Sequence, residues 1–347
     1  MGRDLKLGLV IGYWPSSGPP PDAAAQVAAA EALGFESIWT AEAYGSDCFT
    51  PLAWWGSATR RIKLGTAITQ IAARTPASTA MTAITLDHLS GGRLILGLGV
   101  SGPQVVEGWY GQPYAKPLAR TREYVEIVRR IVAREEPVDF TGEFFSMPRP
   151  GGTGLGKPLK SIVRPLRTDI PIYLGAEGPK NVALAAEIAD GWLPMFFSPK
   201  SDDFYRNALA EGFARPGARR SADDFEVACV LPTIPGDDLE ACADLLRPTL
   251  ALYIGGMGAR DRNFHRDVFA RLGYEAECEA IQDAYLDGRK TDAAALVPTS
   301  MVEDVYLVGP PEKIRDDLER WRDTCITTVL VSGPPPLLEQ IAELVRG

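Results

Sequence analysis

The feature that most constrains this chain is the alternation of short apolar runs with helix-like segments along its length. "LKLGLVIGYW" is an apolar run closing in aromatics, and "PPPDAAAQVAAAEALGF" behind it reads as a helix capped by Asp22 and stopped at Gly34. The pattern repeats with "SIWTAE" and "TPLAWWGSATR", with "IKLGTAITQ" and "TPASTAMTAITLDHL", and with "LILGLGV" and a helix from about Leu118 to Arg134. In that helix Tyr124, Val128 and Ile131 line one face at i, i+4 and i+7. After a Gly/Pro-rich excursion from Pro148 to Pro158 the alternation resumes with "IPIYLGA" and "PKNVALAAEIA". "GWLPM", "DDFEVACVLPT" and "TTVLVSG" follow as strands, and "PPLLEQIAELV" closes the chain as a helix. Eight such units in sequence predict an α/β fold, a (β/α)8 TIM barrel. About 90 residues of mostly helical chain separate strands seven and eight, so one domain over 1–347 is expected, with a helical insertion at about 236–325.

Composition narrows the function classes. With 46% hydrophobic and 23% charged residues, the 347-residue chain has the make-up of a globular enzyme. No apolar run reaches the roughly 18 residues of a membrane span, and "MGRDLKLGLVIGYW" lacks the pattern of a signal peptide. A cytoplasmic location is therefore expected. The five cysteines are scattered without a C-x-x-C pair, which fits free thiols. With only two histidines, His88 and His265, a His-rich metal site or a Ser-His-Asp triad has little material, and no metal is expected. The net charge of −9 disfavours nucleic acid as a partner.

"RLILGLGVSGPQVVEGW" contains Gly97, Gly99 and Gly102 in the spacing G-x-G-x-x-G. In a dinucleotide-binding fold that motif follows the first strand, with an acidic residue about 20 positions later at the end of the next. Here it lies in the fourth unit, and the acid at that distance, Glu123, falls inside a helical pattern. The glycines are read instead as letting a flat ligand approach the backbone at a strand end.

In a barrel of this kind the active site gathers at the C-terminal ends of the strands. Those ends read Tyr13-Trp14, Thr40-Ala41-Glu42, Thr66-Ala67-Ile68-Thr69, Gly99-Val100-Ser101-Gly102, Gly175-Ala176-Glu177-Gly178, Met195-Phe196 and Leu231-Pro232. The list is small, apolar and aromatic, with few reactive groups. Such a lining suits a planar cofactor that brings its own reactivity. In "LGAEGPKN", Gly178 and Pro179 introduce a helix whose free N–H groups favour a phosphate, with Lys180 adding charge. Glu177 is an awkward neighbour for an anion and must turn away or bind something else. The alternative is an ordinary βα corner.

The segments "LGFESIWTAEAYGSD", "IKLGTAITQIAARTPASTAMTAITLDHLSGGRLILGLGVSGPQVVEGWYG", "RTREYVEIVRRI", "PIYLGAEGPKNVALAAEIADGWLP", "EVACVLPT" and "VGPPEKIRDDLERW" together cover most of the chain. In them the sequence resembles the bacterial luciferase-like superfamily, specifically its coenzyme F420-dependent oxidoreductases. The resemblance implies a usually dimeric barrel that moves a hydride to or from a deazaflavin ring, with FMN as the alternative cofactor of a monooxygenase. It implies a backbone bulge at the end of strand three, often with a non-prolyl cis peptide, at Ala67-Ile68 after Thr66. Phosphate contacts map onto Ala176, Glu177, Gly178 and Pro179, and Gly99, Val100 and Ser101 should flank the ring. Two departures stand out. The sugar-phosphate dehydrogenases of this branch have a catalytic His where this chain has Ala43, and a Glu where it has Gly102-Pro103, so a sugar phosphate is not the expected substrate.

Glu42, Ser101 and Tyr13 are the catalytic candidates. Glu42 can hydrogen-bond the ring edge or move a proton, or else pair with a basic group at the rim. Ser101 can touch the cofactor or substrate, or cap the next segment. Tyr13 can protonate a carbonyl, or sit buried with a satisfied hydroxyl. Trp14, Glu107, Trp109 and Phe196 are the candidates facing a small-molecule substrate. Arg260, Arg262 and Arg266, around His265, either reach an acidic cofactor tail or form a solvated face. His88 reads as a helix-end residue, and Trp54-Trp55 as core or as the interface of a homodimer.

Overall fold

The computed structural model describes residues 3–260 and 262–347. Eight parallel strands form its centre: β1 (Lys6–Ile11), β2 (Ser37–Thr40), β3 (Lys63–Thr66), β4 (Leu94–Gly99), β5 (Ile172–Gly175), β6 (Gly191–Leu193), β7 (Glu226–Val230) and β8 (Thr328–Val331). Neighbours pair in chain order, β8 returns to β1 at Lys6↔Thr328 through Leu9↔Val331, and the sheet closes on itself. The expected barrel is therefore present. Its helices are α1 (Ala23–Ala32), α2 (Phe49–Gly56), α3 (Pro76–Ser90), α4 (Pro117–Ala133), α5 (Pro179–Ile188), α6 (Asp202–Phe213), α7 (Pro311–Arg322) and α8 (Pro335–Arg346). Local chemistry sets their ends. Thr75 accepts a hydrogen bond from Ser78 N with Pro76 at the first helical position, and Gly91 ends α3 at φ +68°. Asp22 stands at the N-cap of α1 as read, but makes no side-chain cap bond.

The barrel is solid. Val10, Trp39, Ile95, Tyr173, Leu193, Ala228 and Leu330 point inward from seven strands and form one buried cluster. Trp39 and Tyr173 meet with ring centroids 5.7 Å apart. Room for these rings comes from glycines: a Cβ at Gly65 would lie 2.2 Å from the Trp39 ring, and one at Gly191 2.8 Å from Tyr173. A larger apolar layer lies between strands and helices, with Leu9, Leu96, Val128, Trp192 and Leu338 buried in it.

Six short helices between Leu239 and Val305 fill the insertion. They pack on a core of their own that holds Leu250, Ile254, Phe269, Ile281 and Val302. The parallel pairing of Thr233–Pro235 with Leu307–Gly309 ties the base of this unit to the barrel. The extra chain ends earlier than expected, because Ile314, Leu318 and Trp321 of α7 bury into the barrel layer as its seventh helix. Among the described residues no helix is long and apolar enough to cross a membrane, and no group of three His, Cys, Asp or Glu side chains is placed to hold a metal. All five cysteines are buried free thiols.

Candidate active site

At the C-terminal mouth, the third strand breaks. β3 ends at Thr66, and pairing with β4 resumes at Thr69↔Leu98 and Gln70↔Gly99. Between the two pieces the Ala67–Ile68 peptide is cis, as the resemblance implied. The Ile68 side chain folds under the mouth against two glycines. A Cβ at Gly99 would lie 2.7 Å from Ile68 Cδ1, and one at Gly175 3.0 Å from Ile68 Cγ2. Gly97 meets the other side of the break, with Thr66 O only 1.7 Å from where its Cβ would be. The first two glycines of G-x-G-x-x-G thus accommodate the neighbouring strand and its bulge, where the sequence suggested a ligand's approach. Thr66 is likewise committed: its hydroxyl donates to Gly97 O (2.7 Å) and accepts from Gly97 N (2.9 Å), fully buried. That corrects its assignment as a cofactor contact.

Glu42 follows β2 and is only 5% exposed. Oε2 accepts from Gln70 N (3.1 Å), Oε1 pairs with Arg74 Nη1 (2.8 Å), and Gln70 Nε2 donates to the Glu42 carbonyl (2.9 Å). Burial raises its carboxyl above the ordinary range, opposed by the Gln70 N–H and by Arg74. Both oxygens are occupied, so Glu42 braces the broken third strand and does not present a free acid. Arg74, which the sequence reading passed over, is its partner.

β5 delivers Gly175 and Ala176 to the mouth, where Trp192 Nε1 donates to Ala176 O (2.8 Å). Gly178 is the N-cap of α5 with extended backbone and no side-chain cap bond, and Pro179 opens the helix. A Cβ on Gly178 would meet nothing within 4 Å, so this helix end faces open space. The residues fit an anionic group: a helix start with no side chain in the way, the Lys180 N–H left over where Pro179 has none and Asn181 and Val182 donate to Gly178 O, and the exposed Lys180 side chain beside it. Glu177 does turn away. Its Oε1 lies 2.7 Å from Nδ1 of His265, in the insertion helix Phe264–Arg271. The alignment is poor for a hydrogen bond, so this is a close ion pair, and Glu177 Oε2 is buried without a donor. Despite burial, Glu177 holds His265 protonated above its usual range. The imidazole stands edge-on to Tyr253, ring centroids 4.8 Å apart. The hydroxyl of Tyr253 in turn faces that of Tyr13, which comes from the end of β1. Burial raises the Tyr253 phenol.

The remaining candidates separate. Ser101, at φ +58°, and Val100 are half-buried at the end of β4. Trp109 is exposed and tilts against Tyr44, centroids 6.4 Å apart. The exposed Glu107 accepts from Tyr114 N (3.3 Å). Trp14 leans on Trp55 of α2 (6.5 Å), which ties it to the barrel layer. Phe196 is corrected as a substrate contact: at 2% exposure its ring is enclosed by Tyr253, His265, Phe269 and Tyr306, and it locks the insertion to β6. Arg260 pairs with Asp283 and Arg266 with Glu279, while Arg262 lies over Phe264. Glu123 accepts from the backbone of Glu143, Phe144 and Phe145, and His88 Nε2 meets Arg164 O, both away from the mouth. A partner for Glu42 and for Glu177 was foreseeable, but that these are Arg74 and His265 was not, since each sits on a different element.

Residues 9–328 match the luciferase-like monooxygenase family. A Mycobacterium tuberculosis protein that carries the provisional name of a coenzyme F420-dependent oxidoreductase is 53% identical over 348 residues, covering 99% of this chain and 100% of the relative. A 5,10-methylenetetrahydromethanopterin reductase of Archaeoglobus fulgidus is 29% identical over 307 residues, 88% of this chain and 87% of its own. The solved coenzyme F420-dependent tetrahydromethanopterin reductase of Methanopyrus kandleri superposes with a TM-score of 0.82 at 25% identity, covering 99% of both chains. With its broken third strand, closed barrel and helical insertion, the chain belongs to the luciferase-like monooxygenase family.

Proposed function

We propose that this chain is an F420-dependent oxidoreductase that moves a hydride between the deazaflavin and a small organic substrate. The observation that carries this reading is the pairing of two features at one mouth. They are the Ala67–Ile68 break, a ledge for a flat ring, and the uncapped start of α5 at Gly178, open to a phosphate. The 53% identical relative supports the choice of deazaflavin. When bound, the cofactor supplies the redox chemistry. Ala67, Ile68, Gly99, Val100 and Ser101 would border the ring, and Ala176, Glu177, Gly178, Pro179 and Lys180 its phosphate. Glu42 positions the ledge through Gln70 and Arg74. Tyr13, half-exposed at the rim, is the residue we assign to hand a proton to a polarised substrate atom. Trp109 and Glu107 border the substrate.

Equilibrium binding of F420 and of FMN to the purified protein tests the assignment. F420 is expected to bind at least about tenfold more tightly, equivalent to about 1.4 kcal/mol. Tighter FMN binding, with oxygen consumed by the reduced FMN complex, would establish a monooxygenase instead. We also propose a cytoplasmic homodimer. Five reduced cysteines suit that compartment, and the apolar residues left exposed on α2 and α3 suit a second copy.

A further inference from the structure

One charge beside the phosphate cradle is left over by the function proposed above. Glu177 stands immediately before Gly178, where a carboxylate would either repel a bound phosphate or turn inward against the positive start of α5. It does neither. Gly178 has no side-chain cap, and the Glu177 carboxylate turns to His265 of the insertion.

His265 is well placed to hold it. Asn263 caps the helix by accepting from His265 N and Arg266 N and anchors itself through Tyr253 O and Ile254 O, which fixes the backbone. Phe196, from the end of β6, and Tyr253, from the helix Arg247–Gly255, box the ring edge-on. Among the described residues Glu177 is the charged group facing the ring from another element. The other titratable neighbours are phenols: Tyr253 and, across Phe196, Tyr306, both raised by burial and neutral near pH 7, with Tyr13 behind Tyr253. On its own segment Arg266 turns to Glu279, Arg271 to Tyr205 and Arg262 to Phe264, and Asp267 faces solvent. The imidazole lies in the first turn of its helix, where the dipole opposes a cation; Glu177 outweighs that.

We propose that Glu177 and His265 form an electrostatic clasp: the imidazolium cancels the carboxylate, keeps the start of α5 receptive to an anion, and seats the insertion on the barrel at β5. The clasp rests on the assignment of the cofactor's phosphate to this helix end. Both are positioning residues. When His265 loses its proton, the Glu177 charge stands uncompensated beside the phosphate, and affinity falls.

Two measurements test it. The chain has only two histidines, so proton NMR of the ligand-free protein, with His88→Gln for assignment, follows His265 directly. Its midpoint is expected above the ordinary value of about 6.5 and lower by about one unit or more in Glu177→Gln. The second is the affinity for F420 across pH 6–9 in wild type, Glu177→Gln, His265→Gln and the double variant. Wild-type affinity should fall as pH rises through the His265 midpoint, and Glu177→Gln should flatten the profile. His265→Gln should weaken binding about tenfold at neutral pH, consistent with one unscreened charge near a partly buried anion, and the double variant should recover it. A His265→Gln protein that binds like wild type, or a loss that the double variant does not recover, would overturn the clasp. If His265→Gln does not fold, the NMR midpoint and the Glu177→Gln profile decide. Should wild type bind no F420 at any pH, the cofactor assignment falls, while an unchanged His265 midpoint in Glu177→Gln separately sinks the clasp.

Discussion

Ile68 and Gly99 act as one unit, although 31 positions separate them: the bulge fits only because no side chain stands beneath it. Gly99→Ala pushes a methyl into Ile68, which is expected to lower stability by about 1–3 kcal/mol and to weaken cofactor binding. Ile68→Ala in the same chain should recover part of both, as read by chemical denaturation and by titration with F420. Gly97→Ala is harsher, since the obstructing atom is a carbonyl of the adjacent strand that cannot rotate aside. We expect no soluble folded protein, checked by expression and circular dichroism. The glycine spacing was visible in the sequence, but what each glycine faces was not, because Thr66 and Ile68 reach them only through strand pairing. The same limit applied to Glu42. A carboxylate at a strand end was legible, whereas Arg74, which occupies it, lies 32 residues on, past the break.

At the level of elements, buried charges fasten segments that are distant along the chain. Asp87 of α3 is fully buried and takes Arg167 Nε (3.1 Å) and Nη2 (2.5 Å), joining α3 and β4 to the segment before β5. Arg167→Ala strands that carboxylate and should cost about 3–5 kcal/mol. The double change Asp87→Asn/Arg167→Leu should lie closer to wild type by urea denaturation. The insertion gives a pH signature. His265 is held above its unfolded value, so the stability it contributes is full below about pH 6.5 and is lost as pH rises through the folded midpoint. Protease cleavage within residues 239–305 should therefore quicken from pH 6 to 9 in wild type, and show no such rise in His265→Gln. Strand and helix order was readable from periodicity, and so was the end of α3 at Gly91. The tie between Thr233–Pro235 and Leu307–Gly309 was not, since two three-residue strands carry too little pattern to be seen. For that reason the sequence pattern does not separate α7 from the insertion.

For the whole molecule, the barrel was legible because eight alternations leave few other ways to bury every apolar face. Its assembly is a separate matter. Trp54, 77% exposed on α2, stands out from a helix whose other tryptophan is buried, and Met81 and Leu89 are exposed on α3. If these residues meet a second copy, Trp54→Glu with Met81→Glu should shift sedimentation from dimer to monomer and leave the circular dichroism spectrum unchanged. An unaltered sedimentation coefficient would place the contact elsewhere.

The Trp39–Tyr173 layer has a bearing on how such a protein changes its trade. Because those rings fill the interior directly beneath the mouth, whatever binds above rests on a fixed floor, like a dish on a table. Depth is then not available for tuning, and novelty has to come from the surrounding wall. Exchanging the segments after β4 and β7 should retarget the enzyme while its staves stay untouched.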